Sequence, residues 1–242
     1  MATTREEYLE LIYGYAKYHG QPWIEWQDQA KLRAFVTREL QAIVEDTKIL
    51  YDDNVTFDTT SSDDGTYDLL NTDATVGTAM SSAVLEPELV LVEDSPLLDY
   101  NGLPGLISVA EANDFAYDYR TTTRVRPQFA CLFPPKTLRL IPRPDAAYDV
   151  TISGWIQHFD LDGATVTDST EMNLDARSVK GSAMAIAGEL IMVGAQGAAL
   201  EAARALVNAG RSQLVKASGR AATFLQGPTI RGRRLGSIYT LS

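Results

Sequence analysis

Hydrophobic residues recur with a helical rhythm at both ends of this chain and with a strand rhythm between them. Tyr8, Leu9, Leu11, Ile12 and Tyr15 fall at three- and four-residue spacing, which predicts a helix over residues 5–18. Thr4 stands at its N-cap position with Glu7 three residues on, the pairing of a capping box, and the polar run His19-Gly20-Gln21-Pro22 ends it. A longer amphipathic helix is predicted over about residues 24–50. Trp26, Ala30, Phe35, Val36, Leu40, Ile43, Val44 and Ile49 mark its apolar side, and Asp28, Lys31, Arg38, Gln41 and Glu45 its polar side.

The period then shortens. Val55-Thr56-Phe57-Asp58-Thr59-Thr60 alternates as a strand does, and the turn-forming Ser61-Ser62-Asp63-Asp64-Gly65 separates it from Thr66-Tyr67-Asp68-Leu69. The two runs read as a β-hairpin. A further strand is expected at Leu89-Val90-Leu91-Val92, and Ser108 with Glu111 caps a short helix running to about Tyr119. Three more strand patterns follow at residues 128–133, 137–141 and 148–156, joined by Pro134-Pro135 and by Pro142-Arg143-Pro144-Asp145. They read as an antiparallel meander.

From about residue 174 the helical period returns. One helix carries Val179, Ala183, Ile186, Leu190 and Ile191, and a second carries Leu200, Ala203, Leu206, Val207, Leu214 and Val215, with Gly194 and Gly197 between them. Periodicity fades after Ser218, where the last 24 residues read as an extended arm spanning about 80 Å if fully stretched. The expected fold class is α+β. An antiparallel helix bundle draws on residues 1–52 and 166–218, an antiparallel β module is inserted at 53–165, and residues 219–242 form the arm.

Charge sharpens this division. The formal net charge is −11 over 242 residues, yet the last acidic residue is Glu201. Beyond it lie Arg204, Arg211, Lys216, Arg220, Arg231, Arg233 and Arg234, so a tail at +7 follows a body at −18. An acidic body argues against a general nucleic-acid binder, since phosphate neutralisation needs Lys and Arg. A lone cysteine, Cys131, excludes an internal disulfide and a Cys-based zinc site. Two separated histidines, His19 and His158, leave little for a metal centre or a catalytic triad, and Cys131 between Phe129 and Phe133 reads as a small core residue. The pairs Asp52-Asp53 and Asp63-Asp64 sit in turn-like sequence, where Asp bonds its own backbone. Asp160-x-Asp162-Gly163 has too few ligands for a calcium loop. No run approaches 18 apolar residues and the N-terminus lacks a signal-peptide pattern, so the expectation is a non-enzymatic protein made inside the cell, with no membrane contact, cofactor or metal.

In this order the elements resemble a particular family. Gly65-Thr66-Tyr67-Asp68-Leu69 follows an N-terminal helical pair. Arg126-Pro127-Gln128-Phe129 follows a short central helix. The run Leu138-Arg139-Leu140-Ile141-Pro142-Arg143-Pro144-Asp145-Ala146-Ala147-Tyr148 then leads into a strand, a loose Leu161-Asp162 step and an Ala-rich helical hairpin. Over about residues 5–218 the sequence resembles the head-to-tail adaptor (connector, or head-completion) proteins of tailed bacteriophages. It departs from them at Leu50-Tyr51, where adaptors often carry Trp or another aromatic, and over residues 71–82, which hold no recognisable motif.

The resemblance implies a virion structural protein, assembled in the host cytoplasm and residing in the neck between capsid and tail. Such proteins form a ring, usually of twelve copies, beneath the portal, extend the DNA channel and present an attachment site to tail or neck proteins. It further implies that the C-terminal arm docks on the portal protein. Arg231, Arg233 and Arg234 are then the carboxylate-pairing groups, and Phe224, Ile230, Ile238 and Tyr239 the apolar anchors, with Leu225 and Leu235 beside them. Genomic DNA would pass an acidic lumen without specific binding, with Asp52, Asp53, Asp58, Asp63 and Asp64 as lining candidates. The alternatives are a tail-side neck protein of the same fold and, in a different class, a carbohydrate-binding or hydrolytic β module using surface carboxylates and Trp155.

Overall fold

The computed structural model describes residues 3–18, 29–75, 77–99, 101–114, 124–161, 163, 166–193 and 195–225, with side chains described as far as Ser218. It is a mixed α+β protein with antiparallel sheets. The chain divides into two compact units, one from Met1–Ile49 with Asp160–Ser242 and the other from Leu50–Phe159.

In the first unit α1 (Arg5–Tyr18) begins at the expected capping box. The Thr4 N–H donates to Glu7 Oε2 at 2.9 Å, and the Glu7 N–H donates back to Thr4 Oγ1 at 3.3 Å. Tyr8, Ile12 and Ala16, one turn apart, form its buried stripe. α2 (Gln29–Thr47) buries Leu32, Val36, Leu40 and Val44 in the same way. It stops short of the expected residue 50, because Lys48 takes a left-handed conformation with φ 49° and Tyr51 already belongs to a strand. Its predicted start, with Trp26, lies outside the described residues.

The C-terminal pair, α4 (Ala176–Met192) and α5 (Ala198–Leu225), packs more closely than any other helices among the described residues. Asp175 caps α4 by accepting the N–H groups of Arg177 and Ser178. Small residues set the approach of the two helices. A Cβ on Gly210 would lie 2.5 Å from the Gly181 carbonyl oxygen, and one on Gly188 would lie 2.6 Å from Val207 Cγ2. α4 is buried on most of its circumference, and the Tyr8 hydroxyl bonds to Ser182 Oγ at 2.8 Å. α5 runs seven residues past Ser218, so the first part of the expected arm is helical, and residues 226–242 lie outside the described residues.

The second unit holds β1 (Tyr51–Asp58), β2 (Thr66–Asp68), β3 (Val84–Val92), β4 (Ser95–Pro96), α3 (Val109–Asp114), β5 (Phe129–Phe133), β6 (Thr137–Ile141) and β7 (Asp149–Ile156). They make a four-stranded sheet ordered β1-β7-β3-β4 and a three-stranded sheet ordered β2-β6-β5. Val55, Ile152 and Val90 form one cross-strand row, and Phe57, Val150 and Val92 the next, all at most 3% exposed. The second sheet buries Tyr67, Ala130, Cys131, Leu138 and Leu140. α3 has its predicted capping box, Ser108 N–H to Glu111 Oε2 at 2.7 Å and Glu111 N–H to Ser108 Oγ at 3.2 Å.

Two expectations about strand pairing are corrected. The runs around Phe57 and Tyr67 are not a hairpin, since β1 pairs with β7 and β2 with β6 in the other sheet. The turn between them is organised for a change of sheet. Asp63 accepts the Thr60 N–H, the Thr60 hydroxyl and the Tyr67 hydroxyl, while the Arg124 guanidinium bonds to the carbonyls of Ser61, Ser62 and Asp63. The three later strands are likewise no meander. β5 and β6 pair, but β7 lies between β1 and β3, where Val150 and Ile152 complete the rows just named.

Candidate interaction surfaces

The predicted docking residues fall mostly beyond the described chain. Phe224 lies on the backbone of α5, its side chain outside the described residues, as are Ile230, Arg231, Arg233, Arg234, Ile238 and Tyr239. The five lumen candidates are all placed, on β1 and on the turn that follows it. Asp53, Asp58 and Asp64 are exposed, and Asp52 and Asp63 are half-buried. Asp58 stands directly across from the exposed Asp149 of β7, so two like charges face solvent on adjacent strands. Asp52, Asp63 and Asp64 also hold turns, accepting the N–H groups of Asn54, Thr60 and Thr66 at 2.7–2.9 Å. The acidity of this unit and its turn structure therefore come from the same side chains.

Trp155, His158, Cys131 and Asp160 each have their environment set by contacts within the chain. Trp155 is 8% exposed, its indole N–H donates to Glu88 Oε1 at 3.1 Å, and Tyr51 meets it edge-on at 5.2 Å. It offers no open face for a sugar ring. His158 is buried against Phe159, its Nδ1–H donating to the Phe159 carbonyl at 2.9 Å, and burial pushes its pKa down to about 4. Burial likewise pushes the Cys131 thiol up to about 11, away from a reactive thiolate. Asp160 accepts the Thr37 hydroxyl at 3.3 Å, and that hydroxyl accepts the Leu161 N–H. Among the described residues no three His, Cys, Asp or Glu side chains are gathered closely enough to hold a metal ion. No helix among them is long and apolar enough to cross a membrane.

A groove in the helical unit went unread in the sequence. Glu6, Leu9, Glu10 and Tyr13 of α1, Leu32 and Arg33 of α2, and Asp168 line a cavity of about 320 Å³. The α1 residues follow one helical stripe, and Leu9 and Leu32 supply its apolar part. Its position depends on Arg5, which is 5% exposed. Arg5 Nη1 donates to the carbonyls of Leu161 and Val166 at 2.8 and 3.0 Å, and Nη2 meets Asp168 Oδ1 at 2.5 Å. The guanidinium thereby pins residues 161–168 beside the start of α1. Backbone bonds from Arg5 to Thr170 and from Met172 to Thr3 extend the seam.

Electrostatically the groove is divided. Asp168, though 61% exposed, is held below the usual carboxylate range by its bond to Arg5, with Arg33 at 3.9 Å adding to the effect. Glu6 and Glu10, one turn apart on α1, are exposed and have no side-chain hydrogen bond or ion pair among the described residues. The groove thus combines an apolar wall, an Asp168 shared by Arg5 and Arg33, and two open carboxylates. It suits a cationic segment with apolar neighbours. The repeat of Glu6 and Glu10 at four residues was visible in the sequence; the approach of Asp168, 163 residues from Arg5, was not. No protein-family model matches the chain, and no curated protein matches it significantly.

Proposed function

We propose that this chain is a structural virion protein, a head-to-tail adaptor that assembles as a ring beneath the portal, extends the DNA channel and gives the tail its attachment site. The observation that carries the reading is the nesting of the chain. Helices from both ends make one compact unit, and the whole of residues 50–159 makes another, a layout that fits a helix bundle with an inserted β module. The sequence after α5 carries Arg231, Arg233 and Arg234 among apolar residues. A cationic, Gly-punctuated segment of this kind orders on an acidic partner, losing its conformational entropy only on assembly. The exposed carboxylates of Asp53, Asp58, Asp64 and Asp149 suit a wall past which DNA slides, because they repel phosphate. With Trp155 8% exposed and its indole N–H bonded to Glu88, the carbohydrate-binding alternative lacks an open aromatic face at this residue.

Native mass measurement of the full chain, alone and mixed with the portal protein, tests the reading. A ring of about twelve copies forming only with portal is the expected result. A monomer indifferent to portal overturns it, and a chain that assembles only with tail components moves it to the tail side of the neck. Removal of residues 226–242 should abolish portal binding with the circular dichroism of the remaining helices unchanged.

A further inference from the structure

We infer that, in the free subunit, the groove between α1, α2 and Asp168 holds the chain's own C-terminal arm, with Arg231, Arg233 and Arg234 meeting Glu6 and Glu10. This contact is independent of the adaptor reading, since it requires no portal and no ring.

Three observations lead to it. The first is charge. Glu6 and Glu10 lack partners among the described residues, whereas the chain beyond Glu201 holds cations and no anion. Arg pairs well with carboxylates and is weakly hydrated, so it tolerates an apolar wall such as Leu9 and Leu32 provide. The second is size: about 320 Å³ admits an arginine with an adjacent apolar side chain, and Ile230 and Leu235 flank the arginines.

The third is where the arm begins. Along the α4–α5 contact Val207 meets Gly188, while Gly210 and Leu214 meet Gly181, so the two helices run antiparallel. α5 therefore heads toward the start of α4 at Ala176. It continues eleven residues beyond Leu214, about 16 Å, and ends at Leu225. That end of the unit is where Asp175 caps α4 and where residues 166–172 bond to the start of α1. Asp168, Arg5 and Glu6 lie there. Arg234 is nine residues beyond Leu225, a reach of up to about 30 Å from the end of α5. Docking on a portal would then be an exchange: the arm leaves its own carboxylates for those of a partner. The groove thereby keeps the arm from engaging other acidic surfaces before assembly.

Hydrogen–deuterium exchange of the full-length protein, without portal, reads the contact directly. Amides of residues 229–236 should exchange at least tenfold more slowly than an unprotected chain. That protection should fall to nothing in Glu6→Gln/Glu10→Gln, in Arg231→Gln/Arg233→Gln/Arg234→Gln and in 1 M NaCl. The α4 amides report that each variant is folded, and the arm triple variant alters nothing in the folded unit. Protection should be unchanged on hundredfold dilution. Wild-type amides exchanging at the unprotected rate overturn the inference, as does protection that survives both sets of substitutions. Protection lost on dilution overturns it in favour of an arm held by a second copy.

Discussion

Lowering the pH from 7 to 5 should weaken the fold through His158. The buried imidazole has a pKa of about 4, against an ordinary 6.5. As pH falls the unfolded chain takes up the proton first. Stability that is complete above about pH 6.5 is therefore lost progressively toward pH 4, and no further below it. At pH 5 the exposed imidazole of the unfolded chain is almost wholly charged while the buried one is about nine-tenths neutral, a loss of about 2 kcal/mol relative to pH 7. Urea unfolding at the two pH values, at constant ionic strength, measures this loss. His158→Gln should lose less than half as much over the same interval, whatever its absolute stability. Because the chain has only two histidines, proton NMR gives an independent check, with His19→Asn assigning the remaining Cε1–H signal. That signal should hold its position down to pH 5. A normal titration near pH 6.5, or equal pH dependence in the variant, would refute the argument that burial keeps this ring neutral.

Three other substitutions test the helical unit. Gly210→Val should destabilise it by about 3 kcal/mol in thermal or urea denaturation, since the new Cβ meets backbone atoms of Gly181 and Ala185 that cannot step aside. Gly14→Ala, on open helix surface, should instead stabilise it by about 0.5–1 kcal/mol. Arg5→Gln should cost about 3 kcal/mol by leaving the Leu161 and Val166 carbonyls without their donor, and it should raise the Asp168 titration seen by NMR, with Arg33 still holding part of the depression.

What could be read from the sequence was what depends on near neighbours. Both capping boxes, Thr4 with Glu7 and Ser108 with Glu111, appear as spaced pairs because each closes within one helical turn. The buried stripes of α1 and α2 follow from periodicity for the same reason. Strand partners are another matter. β7 could follow β6 as a meander or leave for another sheet, and both choices satisfy the alternation of Val150 and Ile152. Only pairing with β1, about 100 residues away, decides between them. The groove was hidden similarly. Arg5 reads as a polar residue at a helix start, and its burial depends on carbonyls more than 150 residues distant. The arm's chemistry was legible from composition, but its beginning was not, because Ala221-Ala222-Thr223-Phe224-Leu225 continues a helix without an obvious apolar stripe.

The turns of the β unit leave its surface potential adjustable. Asp52, Asp64, Asp68, Asp73 and Asp99 each offer one oxygen to an N–H two residues on. An asparagine carbonyl would make the same bond. Exchanging one atom group in each side chain would therefore erase five negative charges and leave the loops in place. Conformation at these sites asks only for an acceptor, and the charge is an independent variable.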